Sequence, residues 1–176
     1  TGEKSAYCSA ISISYQGTPL LLTMLQESII ALNPADGKFY WNAPQKTKYG
    51  VNPNTPLFTG DGVICYSGYD QGAQKLLLKE AGKKVVQAWS NNNFDIQIGG
   101  AVPLGAYLYG SGHKNKGFHS LNMKTGKIDF TNNEIATGCV ISAQNMLYCY
   151  SDKGTVTLVS PENGKTSIVS SFTISE

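Results

Sequence analysis

The residues able to do chemistry in this chain are few and scattered. His113 and His119 stand six apart, with Lys114 and Lys116 between them. Two imidazoles at that spacing can share a metal ion. No Asp, Glu or Cys joins them locally, so the pair reads as a solvated loop rather than a metal centre. The four cysteines, Cys8, Cys65, Cys139 and Cys149, contain no CxxC, which argues against a zinc ribbon. Their even number permits two disulfides in an oxidising compartment. Three of them sit inside apolar strand patterns, however, and read as buried thiols acting as small hydrophobes. If any pair forms, Cys139 and Cys149 are the first candidates, facing each other across a hairpin that turns near Gln144–Asn145. No GxSxG places a serine on a nucleophile elbow. Gly110-Ser111-Gly112 opens no helix and so cannot cradle a phosphate. The stretches TGDG (59–62) and NPADG (33–37) look like fragments of calcium loops, but they lack the full ligand spacing and read as turns.

Those turns belong to a repeat. IIALNPADGKFYW (29–41), KLLLKEAGKKVVQAW (75–89), FHSLNMKTGKIDF (118–130) and VTLVSPENGKTSI (156–168) each run from an apolar strand into a Gly-Lys turn. The turn glycines are Gly37, Gly82, Gly126 and Gly164. Self-similarity at such a period marks solenoids, propellers and arrays. Each copy holds three short strands before the turn and one after, bounded by Gly, Asn and Asp. In the first copy these are 9–14, 19–25, 28–32 and 38–41. No segment sustains apolar spacing at 3.6 residues, so almost no helix is expected. LLLTML and YLYG are apolar on both faces, as strands between two neighbouring sheets must be. Four antiparallel strands per repeat is the size of one propeller blade. The expected blades cover about 7–44, 52–91, 97–131 and 136–174, giving an all-β partial β-propeller of four-stranded antiparallel blades. The turns are expected to be two-residue hairpins with glycine at positive φ. Trp41 and Phe130, four residues beyond their turns, are expected to pack on the adjacent sheet. Trp89 comes seven residues after Gly82, and Ile168 stands at the aromatic position of the fourth copy.

The bulk numbers fit this reading. A chain of 176 residues with 15% charged residues, 19 glycines and ten tyrosines has the composition of a folded, turn-rich domain. The net charge of +2 comes from scattered basic residues, which is no footprint for nucleic acid. No apolar run is long enough for a membrane span. A start at Thr1 rather than Met suggests a processing boundary, so the lack of a signal peptide does not fix the compartment.

The pattern strand–(A/S)-L-(N/D)-x-x-(T/D)-G-K-x-x-(W/F) resembles the repeat of pyrroloquinoline-quinone-like (PQQ-like) β-propellers. Three copies match well and the second loosely. AYCSAI (6–11), KYGVNPNTPLF (48–58), NNNFDIQIGGAV (91–102), YLYGSGHKNKGFHSLNMKTGK (107–127) and MLYCYSDKGTVTLV (146–159) are similar to a branch of bacterial propeller proteins of greater length. The resemblance implies the C-terminal half of a seven- or eight-bladed propeller, in the periplasm or outside the cell. Quinoprotein dehydrogenases hold the quinone between a tryptophan and a disulfide of adjacent cysteines, with calcium beside it. This chain has no Cys-Cys pair, and Trp41 and Trp89 occupy blade-packing positions, so neither PQQ nor calcium is expected.

In such a propeller the starts of the innermost strands line the channel. The candidate ligand residues are therefore Tyr7, Cys8 and Ser9; Asn52, Asn54 and Thr55; Asp95, Gln97, Gly99 and Gly100; and Thr137 and Gly138. The competing reading gives these residues to hydrogen bonds between blades. The expected function is a non-catalytic module that binds a protein or glycan through its face or channel. The alternative is a quinone-dependent dehydrogenase or a degenerate relative. Four blades leave two apolar faces open, which points to self-association or to the remaining blades of a longer chain; a closed four-bladed ring is the rival arrangement.

Overall fold

The computed structural model describes residues 1–174, which form sixteen strands in four sheets. The first sheet holds β1 (Ile11–Tyr15), β2 (Thr18–Met24), β3 (Ser28–Leu32) and β4 (Phe39–Pro44). The second holds β5 (Leu57–Phe58), β6 (Gly62–Ser67), β7 (Gly72–Lys79) and β8 (Lys84–Asn91). The third holds β9 (Ala101–Leu104), β10 (Tyr107–Ser111), β11 (Phe118–Asn122) and β12 (Ile128–Asn132). The fourth holds β13 (Gly138–Ala143), β14 (Met146–Ser151), β15 (Thr155–Glu162) and β16 (Lys165–Thr173). Every sheet is an antiparallel meander in chain order, the topology of a propeller blade. A single 3₁₀ turn, Glu80–Gly82, is the one helical element among the described residues.

Strand alternation assigns each side chain to one face of its blade. Leu22, Ala31 and Trp41 form a row across blade one that faces blade two. The matching rows are Ile64, Lys75 and Trp89 in blade two, Tyr109, Ser120 and Phe130 in blade three, and Tyr148, Leu158 and Ser170 in blade four. The opposite face carries Leu21 and Leu32 in blade one, then Val63 and Leu76, Leu108 and Leu121, and Leu147 and Val159. Facing rows meet in three apolar cores, one at each junction between consecutive blades.

All four outer hairpins carry a register shift at the same point, between Ala31 and Leu32, Lys75 and Leu76, Ser120 and Leu121, and Leu158 and Val159. An extra residue there accentuates the twist of the outer strand. The fourth hairpin pairs further, through Ser160–Ser167, Pro161–Thr166 and Glu162–Lys165, and this realigns the fourth repeat. Ser170, not Ile168, stands at the Trp41 position; Ile168 pairs with Val159 and faces blade three.

The turn glycines all sit at positive φ, between 71° and 84°. Only the fourth turn, Asn163-Gly164 between Glu162 and Lys165, is the two-residue hairpin expected from sequence. The first and third turns are longer: Asn33 and Asn122 each accept from the turn glycine amide, and their side chains accept from amides inside the loop. An Asx turn stabilises this larger loop, so glycine at its end does not imply a two-residue connection. The spacing of Trp89 reflects three added pairs, Leu77–Val86, Leu78–Val85 and Lys79–Lys84, which lengthen that hairpin.

The turns of blades two, three and four each dock on the preceding blade. Trp41 Nε1 donates to Gly82 O at 2.9 Å, and Trp89 Nε1 to Met123 O at 3.2 Å. Asn91 Nδ2 donates to Gly126 O at 2.7 Å. A methyl group on Gly82 would lie 2.5 Å from Leu20 Cδ1, one on Gly126 2.4 Å from Trp89 Cδ2, and one on Gly164 2.5 Å from Tyr107 Cε1. Gly37 alone among the four has open space above it.

The cysteines are all thiols. Cys139 pairs with Tyr150, whereas Cys149 pairs with Val140, so the two residues point to opposite faces of the sheet and cannot bridge. Cys65 and Cys149 are buried, and burial pushes both thiols up to about 12. Cys139 is exposed.

Candidate functional site

A meander of four strands delivers two kinds of loop to the same edge: the connection between its second and third strands, and the one leading to the next blade. The start of each first strand lies there too. The residues singled out from sequence therefore share one edge of the arc, and they divide according to what their polar atoms do.

Asn52 and Asn54 precede β5 and are buried. Asn52 Nδ2 donates to Leu25 O at 2.7 Å and Gln45 O at 2.8 Å, and its Oδ1 accepts from Ser67 Oγ at 2.6 Å. Gln45, buried beside it, donates to Ser67 Oγ and Gly72 O. Asn54 Nδ2 donates to Ile96 O at 2.7 Å and to Tyr66 O and Gln97 O at 3.3 Å. These two amides tie blade two to the blades on either side. Asp95 is fully buried and accepts the backbone N–H groups of His113, Lys114 and Asn115. Amides converging on one carboxylate satisfy its charge without a cation. Gly99 brings its chain against blade four, where a methyl group would lie 2.7 Å from Gly138 O; space above Gly100 is open. Cys8 Sγ sits 3.1 Å from Met24 N, which donates to it. Ser9 and Thr55 are exposed, Gly138 heads β13, and the carbonyl of the neighbouring Thr137 accepts from Asp152 N.

His119 is not in a solvated loop. It is buried in β11, with Nδ1 2.9 Å from Thr131 Oγ1 and Nε2 2.7 Å from Asn115 O, and it holds the 112–117 loop closed. Its same-face neighbour on β11, Leu121, is fully buried, and strand alternation places His119 beside it.

The surface left free is aromatic. Tyr69 and Asp70 form the β6–β7 turn at φ of 60° and 62°, where glycine or asparagine is locally favoured. Tyr69 lies edge-on to Tyr49, with ring centroids 5.0 Å apart, and edge-on to His113 at 4.9 Å. Gln97 Nε2 donates to the Tyr69 hydroxyl at 2.5 Å, and Tyr69 N donates to His113 Nδ1 at 3.3 Å. Lys48 Nζ lies 5.3 Å from the Tyr49 ring, and Lys114 pairs with Asp70 at 2.6 Å. The Lys114 ammonium is held above its usual range by the hydrogen bond to Asp70. Tyr7, also at positive φ (74°), and Ile98 project from the same edge almost wholly exposed. Of this group the sequence reading named Tyr7 and Gln97 and missed Tyr49, Tyr69 and Ile98. The signal it passed over was a Tyr-Asp pair at a turn position that favours Gly or Asn.

The same geometry tests the fit of a quinone. Trp41 and Trp89 are committed to the turns of the following blades, and no two cysteines are adjacent. The residues present do not reproduce the stacking platform that holds PQQ in quinoproteins. Among the described residues, no three of His, Cys, Asp and Glu converge on one point.

No protein-family model matches the chain, and no curated protein matches it by sequence. Solved structures match by shape. BamB from Moraxella catarrhalis superposes with a TM-score of 0.67 at 12% identity over 97% of this chain and 52% of that one. A chain in the S. cerevisiae complex of Dbp5 bound to Nup159 and Gle1 with IP6 and ADP gives 0.60 at 12% identity, over 97% and 45%. A europium-containing methanol dehydrogenase gives 0.53 at 12% identity, over 93% and 41%. The chain thus spans about half the length of the solved chains it matches. At these identities the likeness concerns the fold: an arc of four propeller blades.

Proposed function

We propose that this chain is a non-catalytic propeller module that binds a protein partner through the edge bearing Tyr49, Tyr69 and His113. The observation that carries the reading is the aromatic group itself, with Tyr49 exposed and Tyr69 and His113 half-buried beside it. Tyr69 is held in a left-handed turn that costs backbone energy, and its ring is fixed by Gln97, Tyr49 and His113. Rigid, partly exposed tyrosines supply large contact areas at low entropic cost, and they are enriched where proteins meet. A matching solved chain comes from a complex of several proteins, which supports a propeller in that role. The reading places the module in the periplasm or outside the cell and requires neither quinone nor calcium.

A photo-crosslinking residue at position 49 tests it, with position 86 on the opposite, outer part of blade two as control. Protein adducts are expected from position 49 and not from 86, and they are expected to disappear in Tyr69→Asn, which keeps a residue suited to the turn. Equal capture from both positions, or capture indifferent to Tyr69→Asn, would remove the basis of the proposal. The second reading, a dehydrogenase relative, rests on the methanol dehydrogenase match. Dye reduction by the chain supplied with PQQ and calcium would establish it at the expense of the first.

A further inference from the structure

The two end faces are built like the halves of an internal junction, and we infer that they join: two copies of this chain close head to tail into one eight-bladed ring.

The argument comes from comparing equivalent positions. The row Met24 and Ile29 on blade one is 1% and 0% exposed; its equivalents are Tyr66 and Ala73 at 5% and 2%, and Ser111 and Phe118 at 4% and 0%. On blade four the same row is Tyr150 and Val156, flanked by Cys139 and Phe172; Tyr150 is 49% exposed and Phe172 63%. Ile141, one row over, is 64% exposed. Of these, Cys139, Ile141, Tyr150 and Val156 line a shallow apolar groove of about 240 Å³. At the other end, Leu21 and Leu32 occupy the positions that are buried as Val63 and Leu76, as Leu108 and Leu121, and as Leu147 and Val159. Both are only half-buried, and Phe39 beside them is 47% exposed.

The turns repeat the pattern. Gly82, Gly126 and Gly164 are each seated on the preceding blade, while Gly37 has the same left-handed conformation and nothing above it. The positions it would meet on blade four are Met146 and Ser170, the counterparts of Leu20 and Trp41 by register. Blade one thus offers the donor half of a junction and blade four the acceptor half, continuing the series of three already formed. A four-bladed ring would have consumed both faces, and the structure leaves them open. Two unlike faces on one chain make a heterologous interface, which closes when the rotation between copies completes a circle. The superposition of this arc on about half of a longer propeller chain matches closure at two copies.

Sedimentation from low to high micromolar, with Cys139 alkylation followed in parallel, tests the inference. The expected species is a dimer of the 18.9 kDa chain. At a total chain concentration ten times the dissociation constant, about one fifth of the chain stays monomeric, so Cys139 should react about fivefold more slowly than in the dilute monomer. Phe39→Lys and Phe172→Lys each alter a side chain exposed in the single chain, so each should fold with an unchanged circular dichroism spectrum and remain monomeric. Mixed together, they should form dimers again, because one unmodified pair of faces remains. A monomer at high micromolar concentration with fully reactive Cys139 overturns the inference and assigns the faces to blades other than those of a second copy. A dimer indifferent to Phe39→Lys shows an isologous contact through blade four and also overturns it, as does assembly beyond the dimer.

Discussion

Gly126→Ala and Gly37→Ala form a matched pair that separates backbone strain from docking. Both glycines sit at nearly the same φ, 72° and 71°, at the ends of loops with the same hydrogen bonds. A left-handed alanine costs about 1 kcal/mol at either site. At Gly37 that is the whole effect, because nothing lies within 4 Å. At Gly126 the added carbon would lie 2.4 Å from Trp89 Cδ2, and the indole must move. Moving it sacrifices the Trp89 Nε1 bond to Met123 O and strains the Asn91 bond to Gly126 O. Each bond is worth about 1 kcal/mol. The expected totals are about 1 kcal/mol for Gly37→Ala and about 3 kcal/mol for Gly126→Ala. For a chain of this length that corresponds to losses of about 3 °C and about 9 °C in Tm. Thermal melts at low protein concentration, where the Gly37 face is free, provide the comparison, and Trp89 fluorescence reports the displaced ring. Equal losses at the two sites would refute the claim that the turns act by docking on the preceding blade.

Asn54→Ala leaves the carbonyls of Tyr66, Ile96 and Gln97 without their shared donor and should cost about 2–3 kcal/mol, read from urea denaturation; an unchanged midpoint would show that water replaces the amide. Cys139 should react with iodoacetamide in the folded chain while Cys65 and Cys149 react only after unfolding; modification of either in the native state would contradict their burial. Their thiols ionise near 9 when unfolded and at about 12 when folded, so the unfolded chain releases protons first. Stability attributable to them is intact below pH 9 and falls as pH rises toward 12, which melts across that range will display.

The repeat was legible because backbone chemistry wrote it: a left-handed glycine recurs wherever an outer hairpin must reverse, and in the first three copies the aromatic after it marks the docking row. Trp41 and Trp89 could be assigned to junctions from spacing alone. Ser170 could not be placed at the same position, because the tight two-residue turn of the fourth hairpin leaves two more residues between glycine and docking row than the first and third loops do, and nothing in composition marks that. The channel candidates Asn52, Asn54 and Asp95 were recognisable as polar residues at a blade entrance, but sequence cannot say that backbone groups from other blades saturate them. The cluster of Tyr49, Tyr69 and His113 was hidden for the opposite reason. Its members come from three connections 20 and 44 residues apart, and only the meander brings them to one edge.

Asn52 and Asn54 are two residues apart in an extended lead, so one amide reaches back to blade one and the other forward to blade three. The apolar cores at those junctions resist separation but are indifferent to small rotations, since burial has no direction. A hydrogen bond has a preferred angle, and one short segment imposes it on both sides of blade two. The angle between successive blades is therefore set by a polar hinge pin at the loop edge, with the hydrocarbon filling whatever wedge that pin defines. Aliphatic residues can drift in size across the junctions while the curvature of the arc stays the same.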